Sequence, residues 1–208
     1  MIVHHFTTPI TTPFARKSTQ IYGDLRRLWE KAKIKESAKK PEITGLCRLI
    51  KGYKIMIKVL FVCHGNICRS PMAEFVMKDM AAKAGAGERF VIDSAATSTE
   101  ELGNPVYPPA RRELAAHGVF CGPHTARQMT RADYDKYDLL IGMDSANIRN
   151  MTRICGGDPA GKIHRLLDYT ARPGDVADPW YTGDFSATWR DVAEGCRGLL
   201  KAITSQAM

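Results

Sequence analysis

The chain has 208 residues, 44% of them hydrophobic, and a formal net charge of +8, which suits one ordinary α/β domain with something to spare. Residues 1–55 hold 12 Lys/Arg against 4 Asp/Glu, whereas residues 56–208 hold 18 of each, so the larger part is neutral and no nucleic-acid partner is expected for it. No apolar run is long enough to span a membrane or to form a secretory signal.

The N-terminal 55 residues form a basic arm. Thr7 to Pro13 has neither helical nor strand period and should be loose. Acids are absent before Asp24, as in a transit peptide, but only Arg16 and Lys17 supply positive charge there. From Ile21 to Lys40, the residues Ile21, Leu25, Leu28, Trp29 and Ala32 share one helical face, so the arm is either a surface or partner helix or disordered. A mis-called start is the third reading. Met56 opens Met-Ile-Lys-Val-Leu-Phe-Val-Cys, and the codons for Lys51-Gly52 carry a purine run resembling a bacterial ribosome-binding site. A domain over residues 56–208 is expected in each case.

From Met56 the elements alternate. Ile57 to Val62 is an apolar strand, followed by a tight loop from Cys63 to Arg69 and a helix from Pro71 to Lys83 that Gly85 ends. Ser70 reads as its N-cap, Pro71 as its first residue, and Gly65 and Asn66 as left-handed backbone. Phe90 to Ser94 is the second strand, Pro108 to His117 a helix, and Leu139 to Met143 the third strand, with Asp144 or Ser145 capping the next helix. Ile163 to Leu167 is the fourth strand. Phe185, Trp189, Val192, Cys196, Leu199 and Ile203 mark a long amphipathic closing helix. The fold class is α/β: a doubly wound parallel sheet of about four strands with helices on both faces. Its ligand site is expected beyond the strand carboxyl ends, where Cys63 lies.

Five residues separate the Cys63 thiol from the Arg69 guanidinium. Backbone of that length can wrap one tetrahedral anion with its N–H groups while arginine closes the ring with a bidentate fork. The positive end of the following helix favours both a phosphate and a thiolate. Asp178-Pro179-Trp180-Tyr181 supplies a second feature. An ester cleaved by a thiolate needs a separate acid for the departing oxygen, and an aspartate beside aromatic residues can be desolvated enough to carry the proton.

The run VCHGNICRSPMAE, with Asp178-Pro179, resembles the signature of the low-molecular-weight protein tyrosine phosphatases. Further matches are Asp93 to Ser98, Gly103-Asn104-Pro105, His124 with Ala126-Arg127-Gln128, and Met143 to Asn147. The resemblance implies that Cys63 is the nucleophile, Arg69 the phosphate clamp and Asp178 the general acid, with a phosphocysteine intermediate. It implies substrate contacts from His64, Gly65, Asn66, Ile67, Cys68 and Ser70, with Tyr107, Trp180 and Tyr181 at the pocket, although Tyr107 and Trp180 are equally compatible with the core. Glu74, Ser94 and His124 would brace the loop with Asn66, and Ser70 would donate to the thiolate as well as cap the helix. No cofactor or metal is implied. The expected partner is a phosphotyrosine-containing protein, the expected state a monomer or weak dimer, and the expected location the cytoplasm, where a catalytic thiol stays reduced.

Two related activities are weighed against this one. Thiol-dependent arsenate reductases carry a further cysteine pair, and residues 122–154 hold none. Protein-arginine phosphatases carry threonine where this chain has Ile67, whose branched apolar side chain suits a phenol ring. Cys68 is either a small apolar filler or a redox partner for Cys63. A loop that wraps one phosphate draws its ends toward the roughly 5.5–6 Å Cα separation of a disulfide, and family members with both cysteines are reversibly inactivated in this way.

Overall fold

Strand β1 (Ile57–Cys63) is apolar on both faces and occupies an interior place in a four-stranded sheet. The computed structural model describes residues 56–205, and the expectations for residues 1–55 lie outside that range. The remaining strands are β2 (Phe90–Ala96), β3 (Leu139–Gly142) and β4 (Ile163–Arg165), in the order β2-β1-β3-β4. All pairs are parallel. Phe61 lies opposite Ser94 on one side and Ile141 on the other, while Cys63 pairs with Ala96 and Leu140 with Ile163.

The helices are α1 (Arg69–Lys83), α2 (Pro108–Ala116), α3 (Arg131–Lys136), α4 (Ser145–Cys155), α5 (Pro179–Thr182) and α6 (Phe185–Thr204). Alternation along β1 divides them between two layers. Val59, Phe61 and Cys63 enter one core with Met72 and Val76 of α1, Leu114 of α2, and Val192, Cys196 and Leu199 of α6. Leu60 and Val62 enter the other with Tyr134 of α3 and Met151 and Cys155 of α4. Burying each such large side chain stabilises the fold by about 1.5–3 kcal/mol. That explains why β1 reads as an unbroken apolar run. No helix among the described residues is long and apolar enough to cross a membrane.

Several boundaries differ from expectation. Helix α1 begins at Arg69, with Cys68 in the N-cap position and no side chain capping it. Ser70 therefore lies inside the helix and Pro71 is its third residue, where the missing N–H is still one of the free donors of the first turn. Helix α4 is capped by Asp144, one of the two expected caps, whose Oδ1 accepts the Asn147 N–H at 2.6 Å. Helix α2 stops at Ala116, one residue before the expected end. Strand β4 stops at Arg165 because Leu166–Tyr169 forms a 3-10 turn beneath α6. Gly195 and Gly198 permit that approach: a Cβ on Gly195 would overlap Leu166, and one on Gly198 would overlap the carbonyl oxygen of Tyr169. Helices α3 and α5 were not anticipated. Both are very short, and α3 relies on a capping box between Thr130 and Asp133.

Candidate active site

Cys63 ends β1 and Arg69 begins α1, so the backbone between them turns within five residues. Asn66 takes the left-handed conformation, with φ of 60°. Its short amide side chain makes this tolerable by bonding locally. Gly65 does not share that conformation, contrary to expectation. A Cβ there would stand 3.0 Å from Glu101 Cγ, so that side chain would have to give way.

Two groups converge on the thiol. Ser70 Oγ lies 3.0 Å from Cys63 Sγ, and the Asn66 N–H points at the sulfur from 3.3 Å. The Ser70 hydroxyl is thus engaged with the thiol and not in capping. Thr97 and Ser98 donate their backbone N–H groups to the carbonyls of Cys63 and His64, tying the loop to the end of β2.

A buried polar network holds Asn66. Its Nδ2 donates to Ser70 Oγ at 3.0 Å and to Ser94 Oγ at 2.8 Å, and Ser94 in turn donates to Glu74 Oε2 at 2.6 Å. His124 Nε2 donates to the Asn66 carbonyl at 2.8 Å. The Arg127 backbone N–H reaches Asn66 Oδ1 at 3.2 Å. Every polar atom of the Asn66 side chain is satisfied, so the left-handed backbone and the direction of its N–H are set together.

The Arg69 guanidinium is buried and forked between two carboxylates. Nη1 donates to Asp144 Oδ2 at 2.7 Å, and Nη2 lies 2.5 Å from Asp178 Oδ2. Burial alone would weaken this charge, but Cys63, Asp178 and Asp144 together hold its pKa above the ordinary guanidinium value. Asp178 also caps α5, accepting the Trp180 N–H at 3.1 Å. Cys68 packs with Ile67 and Ala126. Burial, reinforced by the neighbouring Cys63, pushes its thiol up to about 12.

The rim is aromatic. The Tyr107 ring meets Trp180 edge-on at 5.6 Å and Phe185 at 6.1 Å, while Trp180 remains 56% exposed. Tyr107 and Trp180 form an exposed wall, while Phe185 packs against the core beneath them. Tyr181 is 85% exposed and meets no other ring among the described residues. Beside the thiol, His64 Nε2 lies 2.9 Å from Glu100 Oε2.

Comparison with known proteins decides the family. Residues 58–208 match the family described as low molecular weight phosphotyrosine protein phosphatase. This chain belongs to that family. It is 40% identical over 153 residues to the low molecular weight protein-tyrosine-phosphatase YfkJ of Bacillus subtilis, covering 73% of this chain and 98% of the relative. The Schizosaccharomyces pombe low molecular weight phosphotyrosine protein phosphatase is 37% identical over 71% of this chain and 97% of its own length. The YfkJ crystal structure superposes with a TM-score of 0.73 at 39% identity, covering 76% of this chain and all of that one. The structure of DARP, a Drosophila arginine phosphatase, superposes at 0.64 with 29% identity, covering 70% and 96%.

As a low molecular weight phosphatase, the chain brings Cys63, Arg69, Ser70, Asn66, Glu74, Ser94, His124 and Asp178 into one cluster. Three participants were missed. Asp144 reads in the sequence as a helix cap within the Met143 to Asn147 match, yet its second oxygen also holds Arg69; its place just past the end of β3 was the available signal. Glu100 had no local signal, and Arg127 lies in a matched run that does not reveal what its backbone N–H holds.

Proposed function

We propose that this phosphatase hydrolyses phosphotyrosine in proteins through a phosphocysteine intermediate. The observation that carries the reading is the meeting of the Cys63 sulfur, the buried Arg69 fork and the Asp178 carboxylate at the end of β1. An incoming phosphate competes with Asp178 for Arg69 Nη2, which frees the carboxyl group to turn toward the leaving oxygen. The Cys63 thiolate attacks phosphorus, the P–O bond to the phenol breaks, and Asp178 gives its proton to the phenolate oxygen. Water then attacks the phosphocysteine, Asp178 takes a proton from it, and the P–S bond breaks to return the thiolate. The Arg69 guanidinium and the loop N–H groups carry the charge on the equatorial oxygens. Ser70, donating to Sγ, stabilises the thiolate as nucleophile and as leaving group.

Tyr107 and Trp180 wall the phenol ring, and His64, Gly65, Ile67 and Cys68 contribute loop backbone to the phosphate. Glu74, Ser94 and His124 position that loop through Asn66. The catalytic domain is residues 56–208, acting as a monomer or weak dimer in the cytoplasm. Similarity to the Drosophila arginine phosphatase makes phosphoarginine the second reading, against which stands the branched apolar Ile67. The test is a panel of phosphotyrosine, aryl phosphate, phosphoserine and phosphoarginine with wild type and Cys63→Ser. Turnover of the first two by wild type alone, undiminished by chelator, is expected. Activity retained in Cys63→Ser would overturn the mechanism, and a preference for phosphoarginine would overturn the substrate.

A further inference from the structure

A groove of about 770 Å³ opens on the far side of the aromatic wall, within the roughly 300–1,000 Å³ typical of ligand pockets. Tyr107 and Trp180 belong to both the groove and the rim of the active site. Phe185 continues the surface inward, packing against the cluster formed by Ile67, Cys68 and Ala126 of the phosphate loop and its support. A chain whose phosphorylated ring stands against the Tyr107 and Trp180 wall therefore has its neighbouring residues beside this groove.

The charges in the groove are not equivalent. Glu113 is turned onto His117 of its own helix at 3.3 Å, with its side chain only 16% exposed. Asp184 caps α6, accepting the Ala187 N–H at 2.8 Å. Arg112, one residue before Glu113, is exposed and makes no hydrogen bond or ion pair with any described residue. The two acids are thus engaged within the fold, and the guanidinium is the charge left for a partner.

We propose that this groove binds the polypeptide segment flanking the phosphotyrosine of the substrate, and that Arg112 selects an acidic side chain within that segment. The proposal rests on the phosphotyrosine phosphatase reading and names its substrate class: phosphotyrosine with a nearby Asp or Glu on one flank. Arg112 is a specificity residue. It touches neither the phosphate nor the thiol, so small aryl phosphates do not sense it.

The experiment measures kcat/KM for phosphotyrosine peptides that carry Glu, Gln or Lys singly at each of the positions flanking the tyrosine, with an aryl phosphate as the control. Wild type, Arg112→Gln and Arg112→Glu are compared at low and high salt. At one flank, wild type should favour Glu over Gln by about three- to fivefold at low salt, the size of one exposed ion pair, and added salt should shrink the ratio. Arg112→Gln should abolish the preference and Arg112→Glu should reverse it toward Lys, with aryl phosphate turnover unchanged in both. Aryl phosphate turnover with no acidic preference at any position, or a preference that survives both substitutions, would overturn the proposal. Absence of turnover of every substrate by wild type would overturn the phosphatase reading and this proposal with it.

Discussion

Asp178 faces two partners in the resting site, Arg69 Nη2 and the Trp180 N–H, and substrate must separate it from the first before it can act as an acid. Asp178→Ala should lower kcat for phosphotyrosine by about 10²–10⁴-fold, while an aryl phosphate with a strongly acidic phenol, whose oxygen leaves without a proton, should lose far less. Stopped-time assays on the two substrates check this, and equal losses would remove Asp178 from the acid role. Cys68 poses a different question. Its thiol, held up at about 12, is protonated at neutral pH and packs as an apolar group against Ile67 and Ala126. We expect a second role under peroxide. Oxidation of the Cys63 thiolate gives a sulfenic acid, and condensation with the Cys68 thiol forms the S–S bond and releases water before further oxidation can occur. After peroxide and then a thiol reductant, wild type should regain most of its activity and Cys68→Ser much less. Equal recovery would leave Cys68 with its packing role only. Ser70 shows why single residues in this loop were only partly legible. Ser-Pro before an apolar run signals a helix cap, but the hydroxyl can serve either the backbone or the neighbouring sulfur, and the choice depends on where the helix starts in space.

At the scale of elements, long segments with a continuous pattern declared themselves and short ones did not. β1 and α6 bury enough apolar side chains for the period to be visible. Helices α3 and α5 span six and four residues, too few to show a period, and are held by caps. The end of β4 was misplaced because Ile163 to Leu167 is uniformly suitable for a strand, while the turn at Leu166 is imposed by α6 lying against it. Gly198 makes that contact possible, which gives a prediction opposite to helix propensity. Alanine in an exposed helix interior would stabilise by roughly 1 kcal/mol. Here its Cβ meets the Tyr169 carbonyl, a backbone atom that cannot rotate aside. Gly198→Ala should therefore destabilise by about 1–3 kcal/mol, measured as a lower urea midpoint; an unchanged or higher midpoint would show that α6 can shift without loss.

Over the whole molecule, the active-site loop is supported by an ion pair one layer below it. Arg127, whose backbone holds Asn66, places Nη1 and Nη2 at 3.1 and 3.2 Å from the Asp133 carboxylate. Burial alone would raise the Asp133 pKa, but bonds from Arg127 and Thr130 hold it below the ordinary carboxylate value. With the folded pKa depressed, the unfolded chain takes up the proton first as pH falls. The stabilisation is complete above the unfolded carboxylate pKa of about 3.9 and is lost as pH drops through the lower folded value. Asp133→Asn should lower Tm by several degrees near neutral pH, and the gap to wild type should close only below about pH 3.9. A gap that persists in acid would assign the effect to packing. What the sequence by itself determined was everything encoded within a few consecutive residues: the alternation of strand and helix, the spacing of Cys63 from Arg69, and an aspartate beside aromatic residues. Only the tertiary structure decided that Asp144 and Asp178 share one guanidinium, that Glu100 meets His64, and that Arg112 is left unpaired beside the wall. These are contacts between segments far apart in the chain, and no periodicity along a sequence records which strand ends a parallel sheet brings side by side.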